Sequence, residues 1–267
     1  MNKTHYRTVW LSDIHLGSKD CKAEYLLDFL QHSDIDNLYL VGDIVDMWAM
    51  SRQFRWPDCH NKVLHHIISL SYSGTNVMYL PGNHDEPLQK YDGMDFGQVK
   101  IKRQHIHTTA QGKSLLLLHG DQFDQEVCFG AIHAWIGDKA YDLLLFINRW
   151  YNWLRIRSGG DYWSLAGYIK SHIRGANIAI QRYRNACCQR AREMKLDGIV
   201  CGHIHHPEIY HDNDITYLNN GDWIENCTAI VESHQGDLSL LHWPHVKAKQ
   251  HLVEITNNRK AKNKRAA

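Results

Sequence analysis

The chain carries almost no net charge, because 30 Lys and Arg face 29 Asp and Glu and leave +1. No global field draws it to nucleic acid or to an acidic partner. None of its seven cysteines forms a Cys-x-x-Cys pair, and Cys187 and Cys188 are adjacent, poorly placed to bridge each other. No apolar run approaches the roughly 20 residues that a membrane span needs. No secretory leader is expected either, since Met1 to Arg7 is polar and Thr8 to Leu11 is too short for the apolar part of one. These absences lead to the expectation of a reducing, cytoplasmic setting. No Ser, His and Asp arrangement stands out as a nucleophilic triad, so other chemistries come forward.

What is present is histidine, 20 residues of it, much of it at the ends of apolar runs. The stretch Leu38-Tyr39-Leu40-Val41 reads as a buried strand ending in Gly42-Asp43, with Asp46 three residues on. Before it, Arg7 to Ser12 reads as a strand ending in Asp13-Ile14-His15, and Lys22 to Gln31 as an amphipathic helix. Strand, helix, strand suggests a parallel crossover that brings Asp13, His15 and Asp43 to one edge. Carboxylates and imidazoles are donors that Mn, Fe, Zn or Co accept. On its own, Asp-x-His is also a common turn pair. Asp46 is expected behind the ligands, accepting a hydrogen bond from one of them.

The pattern then repeats. Arg52 to Pro57 reads as a loop and His60 to Leu70 as a helix; His65 and His66 read as surface or satisfied core, and His60 and Asn61, which open the helix beside the loop, are somewhat better candidates for touching a ligand. Asn76 to Leu80 is a strand ending in Pro81-Gly82-Asn83-His84-Asp85. Here the Asn83 amide oxygen suits a metal. His84 points at substrate, and Asp85 is expected to hold its imidazole and raise its pKa. Phe96 to Thr109 gives one or two short strands. Leu115 to Leu118 ends in His119, and Ile199 to Cys201 in Gly202-His203-Ile204-His205. Any one of these ends could be a turn; five in succession are a signal.

Together they resemble the signature of the calcineurin-like metallophosphoesterases: Asp-x-His, Gly-Asp-x-x-Asp, Gly-Asn-His-Asp, a lone His and Gly-His-x-His. The resemblance runs from about Arg7 to Trp243 and implies an α/β (α+β) fold, a four-layer αββα sandwich of two mixed sheets. It implies that Asp13, His15, Asp43 and His205 hold one metal and that Asp43, Asn83, His119 and His203 hold another. His84 would then be the acid over the leaving oxygen. Two divalent ions, Mn for preference with Fe, Zn and Co also fitting, would supply a bridging hydroxide that attacks phosphorus in line.

Phe123 to Lys195 reads as helical and unlike the rest. Trp135, Tyr141, Trp150, Tyr151 and Trp153 crowd its first half, and Arg149 to Lys195 holds ten Lys and Arg against Asp161 and Glu193. A basic, aromatic segment beside such a site suits a polyanionic substrate with an acyl chain, or a membrane interface. Its apolar residues also suit a packing seam onto the sandwich. The expected division is a core of 1–121 and 196–245, a helical insertion of 122–195 acting as a lid, and a basic, disordered tail of 246–267.

Within the family, the sequence is most similar to the UDP-2,3-diacylglucosamine diphosphatases of lipid A synthesis and their paralogues, whose insertion takes acyl chains. The run Leu218-Asn219-Asn220-Gly221-Asp222-Trp223 resembles them as well. One departure is His84, where the established diphosphatases carry Arg and the wider family carries His. By this resemblance Arg149, Arg155, Arg157 and Lys170 are candidates for the substrate's second phosphate. The expected partner is a phosphorylated, lipid-linked substrate, met by a cytoplasmic enzyme peripheral to the inner face of the membrane through its insertion. Nucleic acid is not expected. The alternatives are a phosphomonoesterase or phosphodiesterase acting on a soluble nucleotide, a metal-binding scaffold without catalysis, and a nuclease.

Overall fold

The computed structural model describes residues 3–124 and 174–244, together with 147, 148, 150–152, 154, 155, 157, 158, 163 and 246. Its first strand, β1 (Thr4–Leu11), shows why the apolar runs are continuous rather than alternating. Successive side chains leave a strand on opposite faces. Val9 and Leu11 enter a core cluster on one side of the sheet, and Trp10 enters a different cluster on the other. A strand covered on both faces needs apolar residues at every position.

Helix α1 (Ala23–Gln31) carries the chain to β2 (Ser33–Val41), which pairs parallel to β1. After β2 come α2 (Met47–Arg52) and α3 (Asp58–Tyr72), then β3 (Asn76–Leu80), parallel to β2. The short α2 lies just before the stretch read as a loop. Asp46 starts it, accepting the Ala49 backbone N–H at 2.8 Å. Strands β4 (Asp95–Phe96), β5 (Val99–Ile101) and β6 (His105–Thr108) replace the one or two expected after Phe96. The chain continues through β7 (Ser114–Leu117), α4 (Arg174–Glu193), β8 (Gly198–Cys201), β9 (Glu208–Asp212), β10 (Ile215–Asn219), β11 (Thr228–Glu232) and β12 (Leu238–His242).

These strands make two mixed sheets. One has the order β12-β11-β1-β2-β3-β5-β4 and the other β6-β7-β8-β10-β9. Trp10, Tyr39, Val41, Met78 and Leu80 of the first sheet meet Leu115, Leu117, Val200 and Leu218 of the second in a shared apolar layer. Behind the first sheet, α1 and α3 contribute Leu26, Phe29, Leu30, Val63 and Ile67. Behind the second, α4 contributes Tyr183, Cys187, Cys188 and Ala191 against Leu116, Leu118, Ile199 and Cys201. The result is the four-layer αββα sandwich. For α4 the apolar residues are therefore a seam onto the sandwich. The six cysteines among the described residues are free thiols, and no described helix is long and apolar enough to cross a membrane.

A polar bolt also joins the sheets. A buried carboxylate is costly unless its lone pairs are used. Glu232, fully buried on β11, accepts from Arg7 at 2.6 Å, the Thr8 hydroxyl at 2.7 Å and the Ala110 N–H at 2.7 Å, with His107 Nε2 at 3.2 Å. His107 reaches the Tyr39 hydroxyl through Nδ1 at 3.1 Å.

Candidate active site

The carboxyl ends of β1, β2, β3, β7 and β8 open at one edge of the sandwich, where ligands of such sheets gather. The turns there are strained. Asp13, His15, Asp43, His203 and His205 have φ of 51°, 53°, 54°, 69° and 52°. Non-glycine residues avoid this left-handed region, at a cost of order 1–3 kcal/mol each, and tend to adopt it at functional sites. Gly42 shares the left-handed backbone, and a Cβ on it would collide with the His119 imidazole. That contact is why a glycine must precede Asp43.

Side chains scattered between positions 13 and 205 converge. Asp13, His15 and His205 bring one donor atom each to a common point, and so do Asp43, His119 and His203. Asp43 sits between the two groups. Its Oδ2 lies 3.3 Å from His119 Nε2, 3.9 Å from His15 Nε2 and 4.0 Å from His84 Nε2. Its Oδ1 accepts the His84 backbone N–H at 2.8 Å. Asn83 Oδ1 lies 3.2 Å from His119 Nε2, and His205 Nε2 lies 3.3 Å from Asp13 Oδ1.

The electrostatics follow from this crowding. Burial alone would raise the Asp43 carboxyl, but His119, His15 and His84 outweigh it and hold the group well below the usual carboxylate range. Asp13 is treated alike, with His205 overcoming burial. Burial depresses His119, yet Asp43 more than restores it and lifts the imidazole well above its ordinary value.

Two expectations are corrected here. Asp85 does not hold His84. Instead His84 Nδ1 meets Asp46 Oδ1 at 2.9 Å, while His15 Nδ1 meets Asp46 Oδ2 at 3.1 Å. Burial lowers His84, and the Asp46 hydrogen bond overcomes it, so the net shift is upward as expected but from a different partner. Asp85, fully buried, turns back on the backbone. It accepts from Ile44 N at 2.8 Å, Gly82 N at 2.5 Å and the Tyr79 hydroxyl at 2.5 Å, so it ties the loop bearing Asp43 to the loop bearing Asn83. Burial, then repulsion from Asp43, raises its pKa. The second correction is His60. It is buried, and its Nδ1 accepts the Gly17 N–H at 3.0 Å, while Asn61 accepts from Trp56 at 2.7 Å. Both are structural contacts.

Arg149 and Lys170 lie outside the described residues; Arg155 and Arg157 are exposed. Three contacts had no signature in the sequence. Trp48 packs its ring on His84, 4.4 Å between centroids. Asp222 Oδ2 stands 4.0 Å from His205 Nδ1. Asp124 Oδ1 stands 2.7 Å from His203 Nε2.

Whether this donor set fits divalent ions is testable on the side chains themselves. His15 Nε2 is buried without a hydrogen-bond partner. A buried polar atom of that kind calls for a ligand. The mixed carboxylate, amide and imidazole donors suit Mn, Fe, Zn or Co.

A family model of calcineurin-like phosphoesterases matches residues 6–207. The chain belongs to that family. It is a metal-dependent phosphoester hydrolase. Among its relatives is the UDP-2,3-diacylglucosamine hydrolase of Neisseria gonorrhoeae, 23% identical over 240 residues, which cover 83% of this chain and 92% of that one. The enzyme of the same name from Photobacterium profundum is 22% identical over 254 residues, 86% of this chain and 94% of the other. Among solved structures, a hypothetical protein from Pyrococcus horikoshii shares the fold at a TM-score of 0.50 and 10% identity, over 90% of this chain and 88% of that one.

Proposed function

We propose that this phosphoesterase splits the phosphoanhydride of a nucleotide-linked glycolipid, UDP-2,3-diacylglucosamine or a near relative, giving UMP and a lipid phosphate. The observation that carries the reading is Asp43, whose Oδ2 lies within 4.0 Å of imidazoles on both sides. In this reading Asp13, His15, Asp43 and His205 hold one cation, and Asp43, Asn83, His119 and His203 hold the other, Mn for preference. Two such ions, when bound, would supply charge neutralisation at the phosphate oxygens and a more acidic water. The protein supplies the rest. Asp43 and Asn83 are fixed by their loops, and Asp85 locks those loops together. His84, held by Asp46 at 2.9 Å, gives a proton to the leaving oxygen. Trp48 holds the His84 ring from its face.

The substrate class rests on the relatives' names and on the segment after Asp124. Ile147, Trp150 and Leu154 are 43%, 57% and 52% exposed, at helical spacing beside Arg155 and Arg157. An apolar stripe next to cations suits an acyl chain under an anionic head, or the cytoplasmic membrane surface. Of the 122–195 insertion, α4 packs as a layer of the sandwich, so the lid over the core of 1–121 and 196–245 is the part ahead of α4, with 246–267 a basic tail.

His84 favours a second reading, since the family pattern of a histidine here also serves phosphomonoesters and phosphodiesters. A Mn²⁺-activated panel decides between them. UDP-2,3-diacylglucosamine should show a far higher kcat/KM than bis-p-nitrophenyl phosphate or p-nitrophenyl phosphate, with UMP released. Preference for either small ester, with no lipid turnover, would replace the proposal with the second reading.

A further inference from the structure

His203 is gripped from two directions by residues that the proposed chemistry leaves without a role. On one side Asp124 Oδ1 lies 2.7 Å from Nε2; the carboxylate is 44% exposed and the imidazole 15%. On the other, the ring of Tyr183 lies 6.2 Å away between centroids, at 32°. Tyr183 is fully buried on α4, and its hydroxyl donates to Gly202 O at 3.4 Å. A Cβ on Gly120, beside His119, would run into that hydroxyl. Phe123 meets the phenol edge-on at 5.9 Å. The two sides come from the two sequence flanks of residues 125–173: Asp124 immediately before, α4 after.

The chemistry of the pair is specific. A carboxylate accepting at Nε2 places the ring proton there and the lone pair on Nδ1. Imidazoles that bind metals almost always donate their other N–H to a carboxylate or carbonyl, which fixes the tautomer and strengthens the donor. The neighbouring imidazoles already show this. His119 Nδ1 lies 3.0 Å from Val41 O, and His15 Nδ1 lies 3.1 Å from Asp46 Oδ2. Asp124 does for His203 what Val41 and Asp46 do for the other two.

We infer that Asp124 is a positioning residue for His203, setting its tautomer and ring orientation and hence the cation affinity of the Asp43, Asn83, His119 and His203 group. The inference rests on the proposed two-cation reading. It leaves the Asp13, His15, Asp43 and His205 group untouched.

The test is calorimetric titration of Mn²⁺ into chelator-stripped, full-length protein: wild type, Asp124→Ala, Asp124→Asn, and Gln122→Ala as a neighbouring control. Wild type should take two ions. Asp124→Ala should keep one step and weaken the other about 10–100-fold. Asp124→Asn, whose amide oxygen still accepts the N–H, should stay within about threefold of wild type at both steps. Gln122→Ala should match wild type, and all four should unfold alike in EDTA. Unchanged binding in Asp124→Ala overturns the inference. So does equal weakening in Asp124→Ala and Asp124→Asn, because the carboxylate would then act by its charge on the ion rather than through the imidazole. If wild type itself takes no pair of ions, the two-cation reading fails and this inference with it; failure in Asp124→Ala alone leaves that reading standing.

Discussion

Replacing Asp85 with alanine separates two jobs that a carboxylate next to His84 could have. In the structure Asp85 is fully buried and serves Ile44 N at 2.8 Å, Gly82 N at 2.5 Å and the Tyr79 hydroxyl at 2.5 Å, with Asp43 N and Val45 N farther off at 3.4 Å. Removing it strands three close donors in the interior. Each unsatisfied buried donor costs about 1–3 kcal/mol, and relief of the buried charge offsets part of the sum. The expected net loss is about 3–5 kcal/mol of folding free energy. Urea unfolding in EDTA measures it without interference from metal. Because the same carboxylate ties the Asp43 loop to the Asn83 loop, metal affinity should fall as well. An Asp85→Ala protein with wild-type stability and metal affinity but greatly reduced kcat would refute this reasoning. That result would return Asp85 to the role of orienting His84.

His84→Ala should retain its metal and its stability while kcat falls about 100- to 10,000-fold, the usual worth of a positioned proton donor; a fully active variant ends that assignment. Gly42→Ala should fold poorly or lose metal, because its Cβ meets the His119 ring; chelator-stripped and loaded melting curves would show it, and a loaded curve like wild type counts against the packing argument. Glu232 gives a pH test far from the site. Burial raises its carboxyl, but His107, Thr8, Ala110 and Arg7 outweigh that and hold it down to about 2 from an ordinary 4.5. A depressed folded pKa contributes stability that is whole above the unfolded value and is lost as pH falls through the folded one. The loss should therefore run from about pH 4.5 to about pH 2 and amount to roughly 3 kcal/mol. Glu232→Gln should remove that slope and cost stability at neutral pH; an unchanged acid-unfolding curve contradicts it.

The strand ends were legible because their signal is redundant. A strand buried on both faces must be apolar throughout, so its end is marked by the first polar residue, and Asp13, Asp43, Asn83, His119 and His203 are those residues or their near neighbours. What sequence spacing could not reveal was which carboxylate serves which imidazole. Asp85 sits beside His84 in the chain, yet the turn aims it backward into Ile44 and Gly82, while Asp46 swings in from the start of α2. Adjacency along the backbone misleads where the chain turns, because neighbouring side chains then leave in different directions. His60 misled for another reason: a ring nitrogen next to a loop looks like a ligand donor until the Gly17 N–H is found on it. Asp124 gave no sign at all, since its partner lies 79 positions away. The role of α4 as an outer layer was open in the sequence, where the same apolar residues suited either a lid or a seam.

The most direct trial of the account counts Mn²⁺ bound per chain while following hydrolysis of bis-p-nitrophenyl phosphate. In chelator-stripped protein the rate should be near zero, rise with occupancy and level off at two ions per chain, whereas Asp43→Ala should bind neither ion firmly and stay inactive. Turnover by the stripped protein, or a wild-type rate from Asp43→Ala, would contradict it.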